Sequence, residues 1–343
     1  MKSSARPFVY SFIILAAALL LSITVGSVFI PPAVLSNLVF THLFMNVAPD
    51  PASTQTFATI LFELRLPRTI LVAMTGAALA GSGASYQGLF RNPLADPYLI
   101  GVASGAGLGA VIAMGIHWPY TEAGLLAIPL AAFAGALVTV FVVYQLARVG
   151  KTIPTTNLIL AGVAISSFAT ALTSYLMINA TGEVRRALVW LLGGASMSGW
   201  QPVLAVLPYV VIGLGIQMAM GHALNVLQFG EEQAQQLGLS VEWVRRLVIV
   251  TASLTTAAAV SFSGIIGFIG LIVPHVVRLL WGGDYRQLMP LAIISGASLL
   301  LLADVLARVV MAPEEIPVGI ITALAGAPFF LWVLRQSKQQ NYW

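Results

Sequence analysis

Residues 230–238 read Gly230-Glu231-Glu232-Gln233-Ala234-Gln235-Gln236-Leu237-Gly238. The run is polar and acidic in a chain of 343 residues of which only 8% are charged, and long apolar segments flank it on both sides. A polar helix between apolar spans belongs at a membrane surface, where its main use is to touch something soluble. Its two glycines bracket about two helical turns. Glu231 and Glu232 fall in the first of them, where negative charge suits the helix dipole. Ala234 and Leu237, three apart, offer a small apolar contact to a partner. The plain alternative is a solvated loop helix that touches nothing.

The flanks fix the class of protein. Hydrophobic residues make up 59% of the chain, against about 45–50% in soluble domains, which also carry about 25% charge. A soluble globule of this length would need far more polar surface to cover it. Apolar spans of about 20 residues recur throughout, each long enough to cross about 30 Å of hydrocarbon. A membrane β-barrel would show short alternating segments instead. The absence of cysteine excludes disulfides, thiolate metal sites and cysteine nucleophiles.

Apolar windows bounded by charges and prolines give ten helices, at about 8–30, 66–89, 98–116, 124–147, 153–178, 199–220, 244–263, 265–281, 287–311 and 317–335, the eighth short and interrupted by glycines. The first is too long for a signal-peptide core and reads as a retained helix. The expected fold is all-α: a polytopic membrane protein forming one domain over 1–343, with a surface segment at about 225–243. An even number of spans puts both termini on one side. The loops on that side hold Lys2, Arg6, Arg91, Arg148, Lys151, Arg245, Arg246, Arg278, Arg286, Arg335 and Lys338, eleven basic residues. The opposite side holds five: Arg65, Arg68, Arg185, Arg186 and Arg308. That bias places the termini, and residues 230–238 with them, in the cytoplasm.

Small residues recur at packing spacing, as Gly76, Ala80, Ala84 and Gly88, and again as Gly101, Gly105 and Gly109. Such faces let helix backbones approach closely in lipid. Asp304 stands four residues before Arg308, which favours an ion pair within the helix over a proton relay. Ser166, Thr170 and Thr173 fall at i, i+4 and i+7 with Ser174 beside them, a weakly polar stripe whose hydroxyls could equally bond back to helical carbonyls. Gly150-Lys151-Thr152 mimics the end of a phosphate-binding loop, but Gln145 stands where that motif needs glycine. The chain therefore does not bind ATP itself. His42, His117, His222 and His275 are scattered without an i, i+4 pair, so no metal site or catalytic cluster is expected and no bound cofactor.

Several strings then converge. They are Arg65-Leu-Pro-Arg68, Gln87-Gly-Leu-Phe-Arg-Asn-Pro-Leu-Ala-Asp-Pro97 with Gly101-Val-Ala-Ser-Gly105, Gly267-Phe-Ile-Gly-Leu-Ile-Val-Pro-His275 with Arg278, Leu302-Ala-Asp-Val-Leu-Ala-Arg308, and Glu315-Ile-Pro-Val-Gly through Pro328-Phe-Phe330. In this order and spacing, over about residues 8–335, the chain resembles the FecCD-type permeases of bacterial ABC importers, which carry iron–siderophores, haem or vitamin B12. The resemblance implies a type II importer permease fold in the bacterial inner membrane. It also implies a second permease subunit, two cytoplasmic ATPases that use ATP and magnesium, and an extracytoplasmic binding protein. It makes Gly230, Glu231, Glu232, Ala234, Leu237 and Gly238 the ATPase coupling segment. Arg65, Arg68 and Arg308 become candidates for pairing with acidic residues of the binding protein, against headgroup anchoring for the first two and pairing with Asp304 for the third. Glu63 could hold either Arg65 or Arg68. The stripe of Ser166, Thr170, Thr173 and Ser174 would line the pathway. Ferric siderophore ranks first as cargo, ahead of vitamin B12 and haem. A secondary transporter would instead show ionisable residues or broken polar helices at mid-membrane, and a membrane enzyme a cluster of His, Asp or Glu at one depth.

Overall fold

The computed structural model describes residues 5–26, 30–40, 52–116, 122–150, 152–179, 183–194 and 199–340. Lys2, His42, His117 and Lys151 lie outside the described residues, as does 27–29 at the end of the first expected span. The chain is helical throughout: α1 (Ala5–Thr24), α2 (Pro32–Phe40), α3 (Ala52–Thr59), α4 (Leu66–Phe90), α5 (Val102–Met114), α6 (Glu122–Ala147), α7 (Thr155–Asn179), α8 (Val184–Leu191), α9 (Trp200–Ala219), α10 (Gly221–Leu227), α11 (Glu231–Gln236), α12 (Val241–Ser263), α13 (Ile269–Trp281), α14 (Tyr285–Val309) and α15 (Val318–Gln340). No strand forms among the described residues, although an isolated bridge pairs Val149 with Thr152.

Ten of these helices, α1, α4–α7, α9 and α12–α15, match the ten expected spans. Six of them, α1, α6, α7, α9, α12 and α14, are long and apolar enough to cross a membrane unaided. α5 and α13 are half-length, 13 residues each. Their beginnings meet inside the bundle. A 3-10 turn, Pro97–Ile100, leads into α5, and the loop 264–268 leads into α13. Tyr98 Oη donates to the Ile266 carbonyl at 2.9 Å and so pins one turn to the other. The eighth span therefore starts later than its apolar window implies, because Gly264 and Phe268 have left-handed backbones (φ 76° and 71°) that no helix accepts.

The first span is also shorter than expected, ending at Thr24. Before the second, α3 runs through a π-helical stretch, Ile60–Arg65, directly into α4. Pro67 lacks the N–H that would bond to Glu63, and the Leu66 N–H reaches five residues back to Leu61.

α4 is the central element, packed against α9, α12, α13 and α14. Every residue from Thr75 to Phe90 is buried. Its small residues make this possible. A methyl group at Gly76 would collide with the carbonyl oxygen of Gly296 on α14, and one at Gly83 with that of Gly270 on α13. α5 and α6 cross equally closely where Gly105 faces Gly135. The two expected glycine faces are thus helix-crossing points. A polar relay buried between α4, α9 and α12 adds direction: Ser85 Oγ donates to Gln217 Oε1 at 3.0 Å, and Gln217 Nε2 to Thr255 Oγ1 at 3.2 Å.

The ends of the bundle are set by contacts. Tyr10 near the start of α1 stacks on Trp281 at the end of α13, with ring centroids 6.3 Å apart. Ser22, at the other end of α1, bonds to Thr69 near the start of α4 and to Arg308 near the end of α14. The start of α1 therefore shares an end with α10, whose Gly221 abuts Tyr285 just after α13, and Arg65, Arg68 and Arg308 occupy the opposite end.

Because Gly83 abuts the backbone of α13, even Gly83→Ala should lower the unfolding midpoint in detergent by several degrees, in keeping with an overpacking cost of about 1–3 kcal/mol. Gly215, which has open space around its Cα, is the control. An unchanged midpoint for Gly83→Ala would show that this crossing is not tight.

Candidate functional site

At the α11 end, the nine-residue polar run folds as its glycines imply. Gly230 (φ 112°) is the N-cap of α11, and Gly238 (φ 85°) reverses the chain after it. The Leu239 N–H donates to the Ala234 carbonyl and the Gly238 N–H to the Gln235 carbonyl, both at 2.9 Å. This paired closure needs a left-handed residue at position 238 and satisfies the last carbonyls of the helix. A separate helix, α10, precedes it, so the surface segment is two short helices where one was expected.

The two apolar side chains of the run part company. Ala234 is fully buried, packed into the core that includes Val241 and Leu224, whereas Leu237 is 68% exposed. This corrects the expected shared face. The Leu237 N–H still bonds to the Gln233 carbonyl at 3.0 Å, so the step is helical; three residues turn the side chain about 60° around the axis, off the core side that Ala234 occupies. Phe229, just before the run and also 68% exposed, joins Leu237 as projecting apolar surface, and Trp243 is exposed at the start of α12. Sequence reasoning passed over both, since Phe229 lies outside the glycine bracket. Glu231 turns inward to the buried Arg245 at 2.5 Å, an arginine that Glu242 also contacts, while Glu232 stays exposed.

At the opposite end, five charges from three parts of the chain form one cluster. Asp304, buried on α14, pairs with Arg308 (Nε to Oδ2, 3.0 Å), as their spacing implies, and with Arg68 (Nη2 to Oδ1, 2.9 Å). Arg68 Nη1 also reaches Glu315 at 2.6 Å. Arg308 further donates to the Ser22 carbonyl at 3.1 Å, and Arg65 to the Ile23 and Thr24 carbonyls at 2.9 and 3.1 Å. Arg65 and Arg308 are therefore turned inward, closing the end of α1 against α4 and α14. Arg68 takes Asp304 and Glu315 as its carboxylates, not Glu63. Of the three arginines expected at a docking surface, Arg68 alone remains substantially open, at 37%, beside a comparably open Glu315. The cluster lines a cavity of about 640 Å³ whose remaining walls include Leu71, Phe262, Ile266 and Val318.

The α7 stripe is not one surface. Thr173 is buried and its hydroxyl donates to the Ala169 carbonyl at 2.8 Å, so it corrects the expectation of a pathway-facing side chain. Ser166 is half-buried, 3.1 Å from Ser104 of α5. Thr170 and Ser174 are exposed, and Ser174 donates back to the Thr170 carbonyl at 3.0 Å. Exposed Phe168, Tyr175 and Ile178 make the open side of α7 mainly apolar.

Residues 14–336 match the FecCD transport family. The chain is 47% identical to a cobalamin import system permease protein of Halobacterium salinarum, over 83% of its own length and 75% of that protein's. It is 41% identical to a hemin transport system permease protein of Yersinia pestis, covering 82% of this chain and 85% of that one. Among solved structures, a transporter assigned to the metal-chelate ABC class, in an inward-facing conformation, superposes with a TM-score of 0.80 at 28% identity, covering 97% of this chain and 99% of that one.

The burial difference across the run has a direct consequence. Leu237→Arg should leave folding stability within about 0.5 kcal/mol, whereas Ala234→Arg, which buries an unpaired guanidinium, should cost more than about 4 kcal/mol. Thermal midpoints of the two purified variants decide it. Equal midpoints would contradict the assignment of faces.

Proposed function

We infer what this chain carries, and what drives it, from the family to which it belongs: it is a FecCD-family permease, the membrane-spanning subunit of an ABC importer. We propose that α11, with α10, is the element gripped by a separate cytoplasmic ATPase. The observation that carries this is the pair Phe229 and Leu237, apolar and exposed on a polar turn at the end of the bundle that holds the amino terminus. The basic bias of that end supports a cytoplasmic location, in a bacterial inner membrane. A second permease subunit completes the pathway, and ATP with its magnesium is bound by the ATPase.

In this account the opposite end receives a binding protein. Of Arg65, Arg68 and Arg308, Arg68 is the one within its reach, and a carboxylate of the binding protein would compete with Glu315 for it. Such charges steer encounter and fix orientation more than they add affinity. ATP-driven closure of the ATPases then moves α10 and α11, tilts the helices beside the pathway and switches access. The permease performs no covalent chemistry.

The cargo we propose is a metal chelate. Identity of 47% to a protein named for cobalamin import leads us to place a corrinoid first, with haem and the ferric siderophore expected from the resemblance behind it. The meeting of two half-helices at Tyr98 and Ile266 favours a second reading, an ion-driven transporter.

Vesicles holding the permease with its ATPase and binding protein, offered cobalamin, haemin and a ferric siderophore, test both. ATP-dependent accumulation of one chelate is the expected result. Accumulation driven by an ion gradient without the ATPase would replace this reading with the second. At the docking face, Arg68→Glu should weaken binding-protein association about tenfold, or about 1.4 kcal/mol, while Glu315→Gln should leave it unchanged or tighter. Weakening by Glu315→Gln in a binding titration would contradict the competition between the two carboxylates.

A further inference from the structure

Asn225, on α10, is bonded from both sides of its amide. Its Nδ2 donates to Asp284 Oδ1 at 2.6 Å, and its Oδ1 accepts the Tyr285 N–H at 2.8 Å. Asp284 is the N-cap of α14, and the same carboxylate oxygen accepts the Arg286 N–H at 3.0 Å. One side chain of α10 thus holds both the capping carboxylate and a free N–H in the first turn of another helix, groups that α14 cannot satisfy internally. The approach depends on Gly221, where a Cβ would lie 3.1 Å from the Tyr285 carbonyl oxygen. Three residues beyond Asn225, Gln228 Nε2 donates to the Gly88 carbonyl of α4 at 3.0 Å. Tyr285 continues the chain of contacts: Arg278 of α13 donates to its hydroxyl and to Gln87 of α4, each at 3.1 Å. α14 itself runs from this latch to Asp304 and Arg308 in the charged cluster at the other end.

We propose that Asn225 is a positioning residue for transport: it transmits displacement of α10 and α11 to the first turn of α14. The inference rests on reading α11 as the ATPase-coupling element. The residue must be an amide, since the task needs a donor toward Asp284 and an acceptor toward the Tyr285 N–H. A carboxylate at position 225 is set against the carboxylate of Asp284 and lacks the donor. Exchanging the two side chains restores the contact only in part, because a single oxygen of Asp284 takes both the Asn225 amide and the Arg286 N–H. With asparagine at position 284, its amide nitrogen donates to the carboxylate now on α10, whose other oxygen accepts the Tyr285 N–H, while the Arg286 N–H, at an exposed position, turns to water.

The test uses the vesicle complex of permease, ATPase and binding protein, and reads the amount of each of the three chelates moved per ATP hydrolysed. Asn225→Asp should assemble and hydrolyse ATP yet move about fivefold less chelate per ATP, and Asn225→Asp with Asp284→Asn should recover part of that loss, to within about threefold of the parent. If Asn225→Asp does not assemble, Asn225→Ala, which removes both bonds without adding charge, decides in its place with the same expected loss. A parent ratio in the single variant, or a double variant no better than Asn225→Asp, overturns the latch. A parent complex that moves no chelate with ATP overturns the coupling reading, and the latch with it. That failure is distinguishable because it shows before any substitution.

Discussion

Backbone contact between α4 and its neighbours is the constraint on which the rest depends. In lipid, apolar side chains gain little by turning from hydrocarbon to one another, so helices associate where close approach brings many atoms into contact. Gly76 against Gly296 and Gly83 against Gly270 give α4 two such points, one toward α14 and one toward α13. With α4 held between α13 and α14, its ends keep fixed partners. Arg68 reaches Asp304 at one end, and Gln87 receives Arg278 at the other. Neither the charged cluster nor the α10 attachment could persist if these crossings were looser.

The chain keeps its ionic interactions at the two ends of the bundle and uses small hydroxyls and amides in between. At one end Asp304 is shared by two arginines, which offsets the cost of burying it; removing a single partner from such a group leaves an uncompensated charge. At the other, Arg245 is buried between Glu231 and Glu242 and ties α11 to α12. The polar α11 is therefore anchored from beneath by Ala234 and Arg245, while Phe229, Glu232 and Leu237 stay free to meet a partner. The coupling role proposed for α11 needs both halves of that arrangement.

Much of this was legible in the sequence for physical reasons. Apolar windows located ten helices, six of them long and apolar enough to span, and the Gly230 and Gly238 bracket marked the short helix. The four-residue step from Asp304 to Arg308 gave their pair. What remained hidden depended on distant or non-helical geometry. The half-helix α5 looked like an ordinary span and α13 only like a short one interrupted by glycines, because a left-handed Phe268 leaves no mark on hydropathy. Arg68 meets Asp304 and Glu315 from more than 230 positions away, a pairing that local spacing cannot announce. Leu237 and Ala234 separated because residues three apart differ by about 60° around the helix axis, enough on a narrow buried side to leave one in the core and the other outside it. Thr173 fell inside because a helix stripe fixes direction only relative to its own axis, not to its neighbours.

The central claim is that the turn carrying Leu237 is where an ATPase grips this permease. The chain contains no cysteine, so Leu237→Cys introduces a single thiol that can carry a photo-reactive crosslinker. In the complex purified with its ATPase, irradiation should join the permease to the ATPase, with a yield that changes when ATP is added. Met311→Cys, exposed at the other end of the bundle, should give no such product. Crosslinking to the ATPase from position 311, or none from position 237 in an assembled complex, would contradict the account.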